Sequence, residues 1–400
     1  DLVEGYKQVE LGETTDLSGV KVIDDKTLEV TLTAPDPVFI NRIATHLLPV
    51  IKASEVIGDD GREKELWYTP EKGVVVSGPF MPSAMDVNVG HYTFVRNPNW
   101  FGETPKLDGL DIVTVEDAQT RTVMLLNGEV DVAHGLSLPT TYDELGGGFV
   151  GTDEPATLVF QYFWINTSVP PTDDINCRKA LIMSINVEEM FALSHPHGPG
   201  QVAASLLQTI SEDSKLPYSY DPEGAKAAFE QCSYKDAVPR LILAGINSPQ
   251  AELAGQYIAE QWRQLLGITE VELNEKWDAL AKADQGKVQI FRDDAGTRFP
   301  DPVSVLQSTV YSESGNAKVK MGNYKNEEAD KLIEDAATKF PTDPARLELA
   351  LEAEKLVLDD YTFIPWYYEG PMMNAMPQVV GWHKNLDWMV PDPWNVDVVR

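Results

Sequence analysis

The sequence predicts a mixed α/β protein built as more than one domain, and three observations carry the prediction. The chain has 400 residues, more than one hydrophobic core usually organises. Its first third reads as short strands separated by turns. Its second half alternates strands with helices that carry explicit start signals, the βαβ pattern of an α/β layer.

Leu28, Val30 and Leu32 alternate with Glu29 and Thr31, the pattern of a half-buried strand. Val74-Val75-Val76 reads as a further strand signal ended by Gly78-Pro79, and Tyr92, Phe94, Leu110 and Ile112 continue the rhythm. Leu158 to Ile165 is nearly all apolar, which predicts a central strand covered on both faces, closed by Asn166. Helix starts follow. Asn186 with Glu189 has capping-box spacing. Asp221-Pro222, Ser248-Pro249 and Asp343-Pro344 each set a cap before a proline at the first helical position. Trp262, Leu265 and Leu266 run into Gly267, a helix stop. Leu241-Ile242-Leu243, a helix and Val271-Glu272-Leu273 make one βαβ unit. Ala329, Leu332, Ile333 and Ala336 fall at i, i+3, i+4 and i+7, one apolar helix face.

Hydrophobic content of 43% and 27 prolines fit a loop-rich globular chain. No window approaches eighteen consecutive apolar residues, so no membrane-spanning helix is expected. The 32 basic and 63 acidic residues give a net charge of −31, which repels nucleic acid and anionic lipid, so no nucleic-acid partner is expected. It fits a saline or oxidising exterior. Only Cys177 and Cys232 exist, so a site of cysteine metal ligands is excluded. In an exported protein the two can bridge; otherwise they are two separate small buried residues.

Enzyme signatures are absent from the sequence. It holds no G-x-S-x-G and no G-x-x-x-x-G-K-[ST], so neither a serine nucleophile elbow nor a phosphate-binding P-loop is implied. His195 and His197 sit in a Pro/Gly-rich stretch that reads as a surface loop, not a metal site. Aromatic residues near polar ones stand out: Tyr162 and Trp164, Trp277, Trp366-Tyr367-Tyr368, and Trp382, Trp388 and Trp394. About half are expected simply to pack between layers. A cleft that binds a small molecule needs a few such walls with convergent polar groups.

Ordered strings give a more specific reading. Ser77-Gly78-Pro79-Phe80 is followed by Arg96-Asn97-Pro98-Asn99-Trp100-Phe101-Gly102, then by Leu126-Asn127-Gly128-Glu129-Val130-Asp131. Phe160 to Asn166 leads to Pro170, Asp173 and Arg178-Lys179-Ala180-Leu181. Tyr220-Asp221-Pro222-Glu223, Leu266-Gly267-Ile268, Phe299-Pro300-Asp301-Pro302 and Asn323 to Asp330 come after. In this order the strings resemble the large extracytoplasmic solute-binding proteins of ABC importers, family 5, which take oligopeptides, dipeptides or nickel complexes. The resemblance implies a periplasmic-binding-protein type II fold of the three-domain kind. Residues 1–73 would be the remnant of domain II, 74–166 with 383–400 domain I, and 167–382 domain III. No segment resembles the family's first strands of domain I, so an N-terminally incomplete copy is expected.

The function implied is capture of an oligopeptide-like solute in an inter-domain cleft and delivery to ABC permease subunits in the membrane. The protein would be a periplasmic or otherwise extracytoplasmic monomer without cofactor, metal or catalytic residues. A non-peptide solute (oligosaccharide, opine or metal chelate) is the alternative within the family, and a secreted hydrolase using paired carboxylates the alternative outside it. The expected ligand-binding residues are Tyr162, Trp277, Arg292, Asp294, Arg298 and Phe299. In Gly296-Thr297-Arg298-Phe299-Pro300-Asp301-Pro302, Arg298 fills the position where peptide-binding members carry an acid for the peptide ammonium. An arginine there either faces the site, where it suits a carboxylate, phosphate or sugar, or points to solvent or pairs with Asp301. Asp293 and Asp294, just upstream, can take the acidic role.

Overall fold

The computed structural model describes residues 2–44, 50–65, 67–134, 159–196, 200–275, 287–297, 299–369, 373–381 and 395–399. The chain begins with a short helix, Tyr6–Glu10, and an antiparallel ribbon of β1 (Val20–Asp24) and β2 (Thr27–Val30). The alternation at Leu28 does form a strand, but Leu28 is 60% exposed, as is Val22 opposite it at 79%. The ribbon has two strands only, so neither of its faces is a layer interior. An antiparallel sheet of β3 (Phe80–Asp86), β4 (His91–Arg96) and β5 (Gly109–Val113) follows. Val74-Val75-Val76 lies just outside it and is not a strand. The Asn97 side chain donates to the carbonyls of Val76 and Gly78 at 3.3 and 2.8 Å, replacing the ladder bonds that a strand would make.

The largest layer is a six-stranded sheet in the order β10-β9-β11-β7-β12-β8. Its strands are β7 (Val159–Ile165), β8 (Gly200–Val202), β9 (Leu241–Ala244), β10 (Val271–Asn274), β11 (Ile290–Gly296) and β12 (Phe363–Glu369). β9 runs parallel to β10 and β11, while β7 is antiparallel to both β11 and β12. β7 is thus the buried central strand that its apolar run predicts. Phe160, Tyr162 and Trp164 enter one core cluster, and Phe163 and Ile165 enter the other across the sheet.

Helices cover both faces, and their predicted caps are formed. Asn186 accepts from the Glu189 amide at 3.2 Å, Asp221 from Gly224 at 2.9 Å, Ser248 from Ala251 at 3.1 Å and Asp343 from Ala345 at 3.0 Å. Helix Pro249–Leu266 ends at Gly267 with φ 70°, and the helix joins β9 to β10 as the βαβ reading requires. In helix Glu327–Ala337, Ala329, Ile333 and Ala336 are buried. Cys177, in helix Ile175–Met183, is bridged to Cys232, just past helix Pro222–Phe229.

From β12 the chain passes to β13 (Met373–Ala375), which pairs with β6 (Val132–His134) in a separate ribbon. β14 (Val379–Val380) then pairs with β15 (Asp397–Val398). Ala375, Val379 and Val396 form a small core with Leu107 and Val132. The C-terminal residues described therefore pack beside the segment 107–132, away from the six-stranded sheet.

Candidate functional site

In an open α/β sheet the ligand crevice lies beyond the carboxyl ends of the parallel strands. Here those are the ends of β9 and β11, next to the start of β7 and the end of β12. Side-chain alternation decides what projects there. On β11, Asp294 stands opposite Gln161 and Arg292 opposite Phe163, so both charged groups share one face. Tyr367 of β12 stands opposite Gln161 from the other side. A register shift between Pro365 and Tyr367 turns Trp366 to the same cluster as Tyr367.

Arg292 is the hub. Its guanidinium carbon lies 5.8 Å from the centroid of the Trp366 ring, and Nη1 donates to Asn247 at 3.2 Å. Its Nε is buried and meets no partner among the described residues. Asn247 lies in the turn that leaves β9. Gly245, with φ +82°, allows that turn to approach β11: a Cβ there would sit 2.3 Å from the Arg292 carbonyl oxygen. Asp294 is solvent-exposed two residues on.

A buried polar shell stands beside this pair. Gln161 donates from Nε2 to Glu369 at 2.5 Å, and its Oε1 is buried without a partner among the described residues. Burial pushes the Glu369 carboxyl up; the Gln161 bond and Arg292 oppose the shift, and Asp294 adds to it. Burial likewise raises the Tyr367 hydroxyl, helped by Glu369. His195 is only 7% exposed, enclosed by Phe191, Trp366 and Tyr367 with ring centroids at 5.2, 5.4 and 4.2 Å. Burial first, and the Arg292 charge second, lower it to about 4, so it is neutral at pH 7. Its Nδ1 lies 3.0 Å from the Ser194 hydroxyl, to which Trp366 also donates at 3.1 Å. The surface-loop reading of His195 is therefore corrected: it caps an aromatic wall. His197 lies outside the described residues.

Of the six expected ligand-binding residues, Arg292 and Asp294 come together on the β11 face, and Phe299 lies half-buried beyond the end of that strand. Tyr162 does not join them. It stands opposite Asp293, on the other face, and is 0% exposed. Its ring packs against Trp164 at 4.3 Å, Phe160 at 4.8 Å and Phe363 at 5.9 Å. Asp293, on the Tyr162 side, is ion-paired with Lys320 and so does not share the Asp294 position. Trp277 and Arg298 lie outside the described residues. The Asp301 carboxylate is held by Arg346 at 2.7 and 2.9 Å and by the Ser304 amide at 2.8 Å. Sequence reasoning missed Gln161, His195, Asn247 and Glu369. Only Gln161 left a signal, a carboxamide inside an otherwise apolar strand.

Residues 4–317 match the family described as bacterial extracellular solute-binding proteins, family 5, middle region. The chain is 28% identical to the oligopeptide-binding protein OppA of Bacillus subtilis, over 92% of this chain and 68% of that protein. It is 24% identical to the dipeptide-binding protein DppE of the same organism, over 90% of this chain and 66% of that one. The chain thus spans about two thirds of the length of these curated relatives. It superimposes on the periplasmic binding protein DppA of Helicobacter pylori, solved with the peptide STSA. That match has a TM-score of 0.75 and 18% identity, covering 98% of this chain and 76% of that one. The likeness shows the periplasmic-binding-protein type II fold. The sheet architecture, the ordered strings and the family match over most of the chain agree: this chain belongs to the bacterial extracellular solute-binding proteins of family 5.

Proposed function

We propose that the chain is the solute-capturing component of an ABC-type importer. It holds an oligopeptide-like solute at the carboxyl end of the six-stranded sheet and delivers it, as an extracytoplasmic monomer, to a membrane permease. The single observation that carries this is the pairing of Arg292 and Asp294 on one strand face, with the Arg292 Nε buried and unpartnered. Groups of opposite charge, backed by Trp366, Tyr367 and Asn247, suit a solute that is polar at several points and needs orienting. Relatives named for oligopeptides and dipeptides support the peptide class.

The three-part organisation by residues 1–73, 74–166 with 383–400, and 167–382 belongs to the same proposal. The pairing of β13 with β6 supports it, since it carries the chain away from the sheet after β12. The action is capture without chemistry: closure around the solute removes its water and creates the form that docks.

The unpartnered Arg292 Nε also favours a second reading, a non-peptide solute with a carboxylate, phosphate or sugar hydroxyl group. Calorimetry with tri-alanine, followed by mass spectrometry of the recovered peptide, tests the proposal. Saturable binding with the peptide intact is expected. Cleaved peptide would make the protein a hydrolase, and binding of anionic sugars but no peptide would select the second reading.

A further inference from the structure

Asp294, Gln161 and Tyr367 form one row across β11, β7 and β12, and Glu369 lies two residues beyond Tyr367 on β12. Glu369 is 8% exposed and Gln161 is 3% exposed. Their hydrogen bond closes the β7–β12 pair at the end where β12 leaves the sheet toward β13. No part of the capture reading uses this bond. The carboxyl is nevertheless enclosed by the groups that would meet a solute. β11 contributes Asp294 and Arg292, whose charges act on Glu369 in opposite senses. β7 contributes Gln161, and β12 itself Tyr367. β8 presents only the backbone of Gly200 opposite Glu369. The end of helix Val187–Ser194 brings His195 against Tyr367.

We propose that Glu369 is a positioning residue that reads the charge of the bound solute as a proton. Its carboxyl, hydrogen-bonded to Gln161, which stands opposite Asp294 with Arg292 two residues back on the same strand face, releases a proton to solvent when a cationic solute group neutralises Asp294. It takes one up from solvent when an anionic group neutralises Arg292. The sign follows from electrostatics: a neighbouring anion favours the protonated carboxyl and a neighbouring cation the ionised one, so cancelling either charge moves the equilibrium the other way. Glu369 itself is buried, which limits screening at the carboxyl, while the exposed Asp294 is screened on its solvent side. The inference rests on the solute lying at Arg292 and Asp294. It adds that solute affinity depends on pH with a sign set by solute charge.

Infrared difference titration of the full chain, unsubstituted against Glu369→Gln, isolates this carboxyl. Asp294→Asn and Arg292→Gln imitate the two neutralisations with no solute present. Glu369 is expected to titrate above the ordinary glutamate range, with its midpoint shifted down by Asp294→Asn and up by Arg292→Gln. Asp294→Glu, which keeps the charge, should leave the midpoint near that of the unsubstituted protein, separating charge from altered packing. One midpoint shared by all variants, or a shift of the opposite sign in either, overturns the role. Calorimetry of tri-alanine amide, whose only charge is its ammonium, in two buffers of different ionisation heat then reads a proton release in the unsubstituted protein that Glu369→Gln abolishes. Failure of tri-alanine to bind counts against the peptide reading, whereas the solute-free midpoints decide the role of Glu369.

Discussion

Replacing Arg346 with methionine is predicted to cost about 4 kcal/mol of stability, because it breaks a buried ion pair from one side. The side chains of Arg346 and Asp301 are 2% and 5% exposed. The guanidinium forks onto the carboxylate at 2.7 and 2.9 Å and also donates to the carbonyls of Ala336 and Lys339 at 2.9 and 2.8 Å. Methionine fills much of the volume but leaves the Asp301 charge held mainly by the Ser304 amide, at 2.8 Å. A buried carboxylate stripped of its cation costs roughly 3–5 kcal/mol. Lost bonds to carbonyls cost about 1 kcal/mol each where water does not replace them. Asp301 also caps helix Pro302–Thr309, so the effect should spread to the segment carrying Phe299 and weaken solute binding. Urea unfolding followed by circular dichroism measures the change. The double variant Arg346→Met with Asp301→Leu should recover part of the loss, since no charge is then stranded. A loss below about 1 kcal/mol for Arg346→Met would refute the reasoning, because burial and pairing would then not set the cost.

Three further outcomes are expected. Replacing Cys177 and Cys232 with serine opens a cross-link of 55-residue separation and should lower stability by about 4 kcal/mol on the chain-entropy relation, read as an earlier denaturant midpoint. His195, lowered to about 4 from 6.5, binds its proton more readily unfolded than folded. Its contribution is therefore complete above about pH 6.5 and lost as pH falls towards 4, by up to about 3 kcal/mol; His195→Gln should remove that slope from the difference between stability–pH curves. The net charge of −31 opposes the compact state through self-repulsion. Raising NaCl from about 0.05 to 1 M should therefore raise the thermal midpoint by several degrees, and an unchanged midpoint would show that the acidic groups are already compensated.

The fold was legible where sequence patterns report local physics. The apolar run into Ile165 marked the central strand, and Asp-Pro and Ser-Pro pairs marked helix starts that the structure caps as expected. Val74-Val75-Val76 misled because β-propensity does not supply a partner strand, and Asn97 takes the carbonyls instead. Of the expected ligand-binding residues, Arg292 and Asp294 fall on one face of β11, which alternation along a strand allows. Tyr162 is one residue out of phase, and alternation alone sends it into the opposite core. Glu369, His195 and Asn247 come from three distant segments that only the sheet order brings to Arg292. No spacing rule could have gathered them.

The central claim is that solute is captured at the Arg292–Asp294 face, and electron density of the protein crystallised with tri-alanine tests it most directly. The account predicts peptide density beyond the ends of β9 and β11, with a carboxylate or carbonyl oxygen within hydrogen-bond distance of Arg292 and a peptide donor at Asp294. Peptide density seated elsewhere, with neither Arg292 nor Asp294 in contact with it, would contradict it.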